Sequence, residues 1–293
     1  MKYLIVNADD FGLTSGVNRA IIEAHTHGIL TSATLMANMP AFEQAVQLAK
    51  EHPSLGVGLH FNITQGFTVA AASTVGSLLN EHGAFCGTST ALFRRWLAGK
   101  LQVREIEIEL RAQIEKVLQT GLKLTHVDSH KHAHALPPVC DAMANTIKGY
   151  DIQAVRLPRE RWRFAGFNAP IKLLTQNLAA VGLAHLSRTS EGKFLRSGVK
   201  TTDGFYGLTQ TGFWNKRWLL ELISSLPPGV SELMCHPGHN DRELGQVQTR
   251  LTDSRQVEFS LLTDPDVISI VAEANVRLIN FAQFKPDLVH GVL

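Results

Sequence analysis

Short apolar runs of strand length alternate with longer amphipathic runs along most of this chain. Tyr3–Ala8 (YLIVNA), Thr31–Asn38, Leu55–Ile63 (LGVGLHFNI), Leu124–His130 (LTHVDSH), Gln153–Pro158, Ser231–Gly238 (SELMCHPG) and Val276–Phe281 read as strands. Between them lie helix patterns. Ser15 is placed to cap a helix that carries Val17, Ala20, Ile21 and Ala24 on one face and stops at Gly28. A second helix covers Ala41–Glu51. The clearest covers Val103–Gly121, with Ile106, Leu110, Ile114 and Val117 as its apolar stripe. Pro137 and Pro138 open another that reaches Ile147. Asn215–Ser225, Val257–Thr263 and Val267–Ala274 are also helical in pattern. Two stretches lack a clear period: Thr64 to about Thr90, rich in Gly, Ser, Thr and Ala, and Arg159–Gly212, which reads as polar loop with one helix near Ile171–Val181. Loops of such length are usually functional.

Repeated strand–helix units with short apolar strands imply a parallel sheet. Seven or so units in 293 residues favour a single-domain α/β fold, a (β/α) TIM-like barrel that is distorted or seven-stranded, spanning residues 1–293. A doubly wound open sheet is the alternative. The two differ in where chemistry collects, since a barrel draws it from the C-terminal ends of many strands. Asp9 and Asp10 end the first strand, His60 the third, Asp128 and His130 the fourth, Arg156 the fifth and His236 a late one. Five strand ends carrying ionisable residues point to a shared mouth. Neighbouring residues of a strand face opposite ways, so Asp9 and Asp10 reach that mouth together only if the backbone leaves the strand there, and the turn at Phe11–Gly12 is the expected place.

Composition narrows the partners. The formal charge of +2 offers nothing to nucleic acid or acidic membranes, and no apolar run approaches the length of a membrane span. Cys86, Cys140 and Cys235 make neither a disulfide framework nor a cysteine-based zinc motif. The start of the chain enters a strand at once, without a charged leader, which predicts a cytoplasmic protein. A homodimer is compatible with the sequence, which leaves the oligomeric state open.

Asp10, His60 and His130 supply one carboxylate and two imidazoles from three strand ends, a donor set for one divalent metal with positions left for water and substrate. Taken singly, His60 reads equally well as a hydrogen-bonded core histidine and Asp10 as a turn acid; the combination favours a metal site. The alternation of His130, His132 and His134 suggests a metal-binding tract on an extended backbone, but the following prolines end the strand. His130 is therefore taken as the ligand, His134 as a residue behind it or facing substrate, and His132 as solvated or packed. Asp128 is placed to orient a ligand imidazole or Arg156, or to form a structural salt bridge. Arg156 is placed to bind a substrate hydroxyl, to orient Asp9 or to close the barrel rim. Among the aromatic residues of the later loops, Trp162, Phe164, Phe205, Tyr206, Phe213 and Trp214, one or two are candidate platforms for a substrate face.

With NADDFG, GVGLHFN, THVDSHKHAH, VRLPRE and ELMCHPG in this order, the chain resembles the YdjC-like family, which includes bacterial chito-oligosaccharide deacetylases. The resemblance runs from the first strand to the last. It implies a (β/α) barrel related to polysaccharide deacetylases, and a divalent metal, Mg or Zn, on one Asp and two His, here Asp10, His60 and His130. It further implies that Asp9 acts as base and His236 as acid, on an N-acetylated carbohydrate. Rival readings are a metal-dependent sugar isomerase or phosphodiesterase on the same scaffold, an amide hydrolase acting on a lipid-linked sugar, a non-catalytic metal-stabilised module, and a cysteine hydrolase using Cys235 beside His236.

Overall fold

The computed structural model describes residues 1–160, 182 and 190–284. The helix expected near Ile171–Val181 and the aromatic residues Trp162 and Phe164 lie outside the described residues. Among the described residues, eight strands form one sheet: β1 (Lys2–Phe11), β2 (Ser32–Leu35), β3 (Gly56–Phe61), β4 (His126–Ser129), β5 (Ala154–Val155), β6 (Gly204–Tyr206), β7 (Gly229–Cys235) and β8 (Val276–Leu278). Every pairing is parallel. The path runs β5-β4-β3-β2-β1-β7-β6, with β8 pairing the start of β1. This is the cyclic order of a seven-stranded barrel cut between β5 and β6, and it excludes a doubly wound sheet, whose order reverses in the middle. At the cut, Lys200 bridges to Ala154 on β5, four residues before the chain enters β6. The sheet is thus a curled half-barrel whose two edges are tied by one bridge among the described residues.

Helices cover the outer face: α1 (Ser15–His27), α2 (Phe42–Glu51), α3 (Ser89–Leu97), α4 (Val103–Gln119), α5 (Pro137–Ile147), α6 (Lys216–Ser224), α7 (Asp253–Leu262) and α8 (Pro265–Glu273). The stripe Ile106, Leu110, Ile114 and Val117 of α4 is wholly buried, as its 3.6-residue spacing requires. No helix among the described residues is long and apolar enough to cross a membrane.

Several local expectations change. Thr14, not Ser15, caps α1 by accepting from the Val17 amide at 3.2 Å, while the Ser15 hydroxyl donates to Glu243 at 2.7 Å. A helix, α3, closes the long stretch after Thr64, capped by the Thr88 side chain. A short strand, β6, lies in the region read as polar loop. Strand β4 stops at Ser129, so His130, Lys131 and His132 do not alternate along a strand. Lys131 and His132 both adopt left-handed backbone, with φ of 55° and 52°, which turns the chain back over the mouth of the barrel.

Candidate metal centre and catalytic cleft

The two adjacent carboxylates reach one site because of a bulge in β1. From Ala8 to Phe11 this strand advances three residues while its neighbour β2 advances two, from Ala33 to Leu35. The extra residue is accommodated at Asp10, whose φ is +66°. Aspartate tolerates this left-handed region better than most side chains. The backbone therefore departs at Asp10 itself and not at Phe11–Gly12, and both acids point toward the C-terminal mouth.

Asp10 Oδ1 lies 3.0 Å from His130 Nδ1 and 3.4 Å from His60 Nε2, and the two imidazole nitrogens are 3.2 Å apart. Yet this buried oxygen has no hydrogen-bond partner of acceptable geometry. The three donor atoms converge on one point, and the two imidazole nitrogens also lie within hydrogen-bond reach of each other. Ligands about 2.1 Å from one ion lie about 3.0–3.4 Å apart across octahedral or tetrahedral edges, so the spacing fits a divalent cation. The outer nitrogens are committed elsewhere. His60 Nδ1 donates to Asp128 Oδ1 at 2.6 Å, and His130 Nε2 donates to Gln65 Oε1 at 3.2 Å. The outer bonds thus leave the inner nitrogen of each ring as the one to bind metal.

Electrostatics divides the acids. Asp9 is gripped by Arg156 through two bonds, at 2.8 and 2.7 Å. Arg156 also pairs with Asp128 at 2.7 Å and Glu232 at 2.7 Å, and is completely buried. It is therefore no substrate contact; it orients Asp9 and neutralises a buried acidic cluster. Burial opposes ionisation of Asp10, but Arg255, 2.5 Å from Asp10 Oδ2, together with His130 holds its carboxyl well below the usual range. Burial also disfavours the charged form of His60, but the Asp128 and Asp9 carboxylates outweigh it and push the imidazole up to about 10. His130 is lowered, chiefly by burial. His236 is lowered to about 4, again by burial, against the pull of Asp9 and Asp10. Its Nε2 stands 3.9 Å from Asp9 Oδ2, and Glu258 lies on its other side, 3.8 Å from Nδ1.

Asp9, Asp10, His60, His130 and His236 all line one cleft of about 650 Å³. Asp128, Arg156 and His134 do not; they are buried behind it. His134 turns its Nδ1 to Ser129 Oγ at 2.5 Å. His132, expected to be solvated or packed, lines the cleft. Cys235 is fully buried, its thiol raised well above the usual range by burial, and its Sγ faces Asn7 O at 3.4 Å. A thiolate nucleophile there is excluded. Phe205, Tyr206 and Trp214 are core residues, and none of the described aromatic candidates lines the cleft. Gln65, Arg255 and Glu258 were invisible as site residues. Gln65 sits in an aperiodic loop, and the other two sit on α7, where Arg255 meets Asp10 from 245 residues away and Glu258 meets His236 from 22.

A parallel barrel with carboxylates and imidazoles gathered at its strand ends defines an α/β-barrel enzyme. The chain belongs to the YdjC-like protein family, whose sequence pattern it matches over residues 3–273. It is 43% identical over 288 residues to a Vibrio cholerae protein described as a carbohydrate deacetylase, covering 98% of both chains. A carbohydrate deacetylase of Geobacillus stearothermophilus is 38% identical, over 97% of this chain and 98% of that one. Among solved structures, an Enterococcus faecalis protein provisionally assigned to cellobiose-phosphate cleavage superposes with a TM-score of 0.73 at 25% identity, over 96% of this chain and 97% of that one.

Proposed function

We propose that this chain is a carbohydrate deacetylase that hydrolyses the N-acetyl group of an amino sugar or its oligosaccharides, and that residues 1–293 form one catalytic barrel. The relatives described as carbohydrate deacetylases support the reaction class. The observation that carries the site is the convergence of Asp10 Oδ1, His60 Nε2 and His130 Nδ1 within 3.4 Å of one another, with the outer ring nitrogens already committed. Those three residues would hold zinc or magnesium, which when bound polarises an acyl oxygen and makes water more acidic.

The chain's own groups then divide the proton work. Asp9 takes the proton of the attacking water, a role worth on the order of 10²–10⁴-fold. Arg156 keeps both Asp9 oxygens in place, with Oδ2 directed at His236. His236 is neutral near pH 7, since burial lowers it to about 4. The 3.9 Å between Asp9 Oδ2 and His236 Nε2 is beyond a direct hydrogen bond, so the water proton reaches His236 through one intervening water and passes from it to the leaving amine nitrogen. The water proton ends on the amine as the C–N bond breaks, and acetate and a free amino sugar result.

The test is acetate release from N-acetylated mono- and oligosaccharides, with and without chelator. Asp9→Asn should lose on the order of 10²–10⁴ in kcat while still binding zinc, and His130→Ala should lose zinc binding and activity together. Release of phosphate or formation of a ketose without acetate would overturn the reaction, and full activity after exhaustive metal removal would overturn the site.

A further inference from the structure

The mechanism leaves unused a row of buried and half-buried polar side chains on the outside of the barrel. Glu105, Glu109 and Gln113 recur every fourth residue of α4, beside its apolar stripe. Side chains at this spacing share one helix face. Each clasps the backbone of the long loop that follows β3. Glu105 Oε2 accepts from the Ser77 amide at 2.6 Å. Glu109 accepts from the Val69 and Ala70 amides at 2.9 and 3.0 Å, and from Gln113 Nε2 at 2.7 Å. Gln113 exchanges two bonds with the backbone of Asn62, at 3.1 and 2.7 Å. Glu109, Gln113 and Asn62 are wholly buried. A carboxylate in such a place is costly unless fully hydrogen-bonded, and Glu109 is met by two loop amides and the Gln113 side-chain amide.

The loop thus fixed carries Gln65. Asn62 holds that residue from within: its Oδ1 accepts from the Gln65 amide at 3.1 Å, and its Nδ2 donates to Gln65 O at 2.7 Å. Gln65 Oε1 in turn accepts a hydrogen bond from His130 Nε2. An unbroken series of bonds therefore runs from the outer helix to the ring whose other nitrogen faces Asp10.

We propose that Glu109 and Gln113 are positioning residues for the metal centre, setting the orientation of His130 through Asn62 and Gln65. This rests on the reading of Asp10, His60 and His130 as metal ligands. Removing the partner of a ligand imidazole typically costs 10–100-fold in metal affinity. Glu109→Gln, which keeps the shape but loses one acceptor for the loop amides, should then weaken zinc binding several-fold without a change in fold.

The experiment is zinc titration of the metal-free protein by chelator competition for four proteins: wild type, Glu109→Gln, Gln65→Ala and the double variant. Gln65→Ala should weaken zinc by about tenfold or more, and adding Glu109→Gln to it should cost nothing further, because both act through one ring. Hydrogen exchange over residues 64–79 of folded Glu109→Gln should rise, locating the change in the loop. Independent, additive losses, or wild-type zinc affinity in Glu109→Gln with a loosened loop, would overturn the proposal while leaving the metal site standing. Failure of the wild type to bind zinc would overturn the metal reading and this inference with it.

Discussion

Zinc should enter this site by displacing a proton from His60, and its affinity should therefore climb with pH. In the metal-free protein the Asp128 and Asp9 carboxylates overcome burial and raise His60 to about 10, against an ordinary value of 6.5. His130 is lowered and Asp10 stays ionised, so neither competes for a proton near neutrality. Because the folded value is the higher one, protonated His60 stabilises the metal-free fold fully below about pH 6.5, and this contribution fades as pH rises through about 10. At pH 7 the proton to be removed stands three units below its pKa. With 1.36 kcal/mol per unit, that opposes zinc binding by about 4 kcal/mol, or roughly 10³-fold. Zinc affinity measured against a competing chelator should thus rise tenfold per pH unit from about 6.5 to 9. Titration calorimetry in buffers of different ionisation enthalpy should count close to one proton released. Asp128→Asn removes the largest opposing charge and should flatten the slope above pH 7. A flat affinity profile without proton release would refute the charge assigned to His60.

Two further outcomes follow from the packing. Arg255 is buried and bonded to Asp10. Arg255→Leu removes the main countercharge of that carboxylate, which should destabilise the metal-free fold by about 1–3 kcal/mol. Zinc supplies the missing positive charge, so it should raise the melting temperature of this variant more than that of the wild type; an equal shift would refute the pairing. Gly207 turns the chain out of β6 at φ +105°, where an added Cβ would sit 2.2 Å from Met234 O. Gly207→Ala should lower urea-unfolding stability by about 1–3 kcal/mol, and an unchanged midpoint would count against the close approach of β6 and β7.

Much of this molecule was legible from residue order. The seven strands read from apolar runs are strands, with ends shifted by a few residues, because short buried parallel strands are nearly continuous in apolar character. The pattern missed β6 and α3. β6 is a three-residue strand held by its pairing with β7, and α3 follows a stretch too polar to show a period. The end of the fourth strand near His130 was legible from the following prolines, but the turn itself was not, because two left-handed residues in succession leave no trace in hydropathy.

The sequence by itself determined the alternation that makes a parallel barrel, and it placed Asp9, Asp10, His60, His130 and His236 at strand ends that such a barrel must gather at one rim. Only the tertiary structure decided which atoms meet. The bulge at Asp10, the grip of Arg156 on Asp9, the approach of Arg255 from α7 and the clasp of α4 on the Gln65 loop all join residues far apart in the chain. Local propensity acts over a few residues, whereas the pairing of buried charges and the satisfaction of buried hydrogen bonds depend on what the closed fold brings within reach.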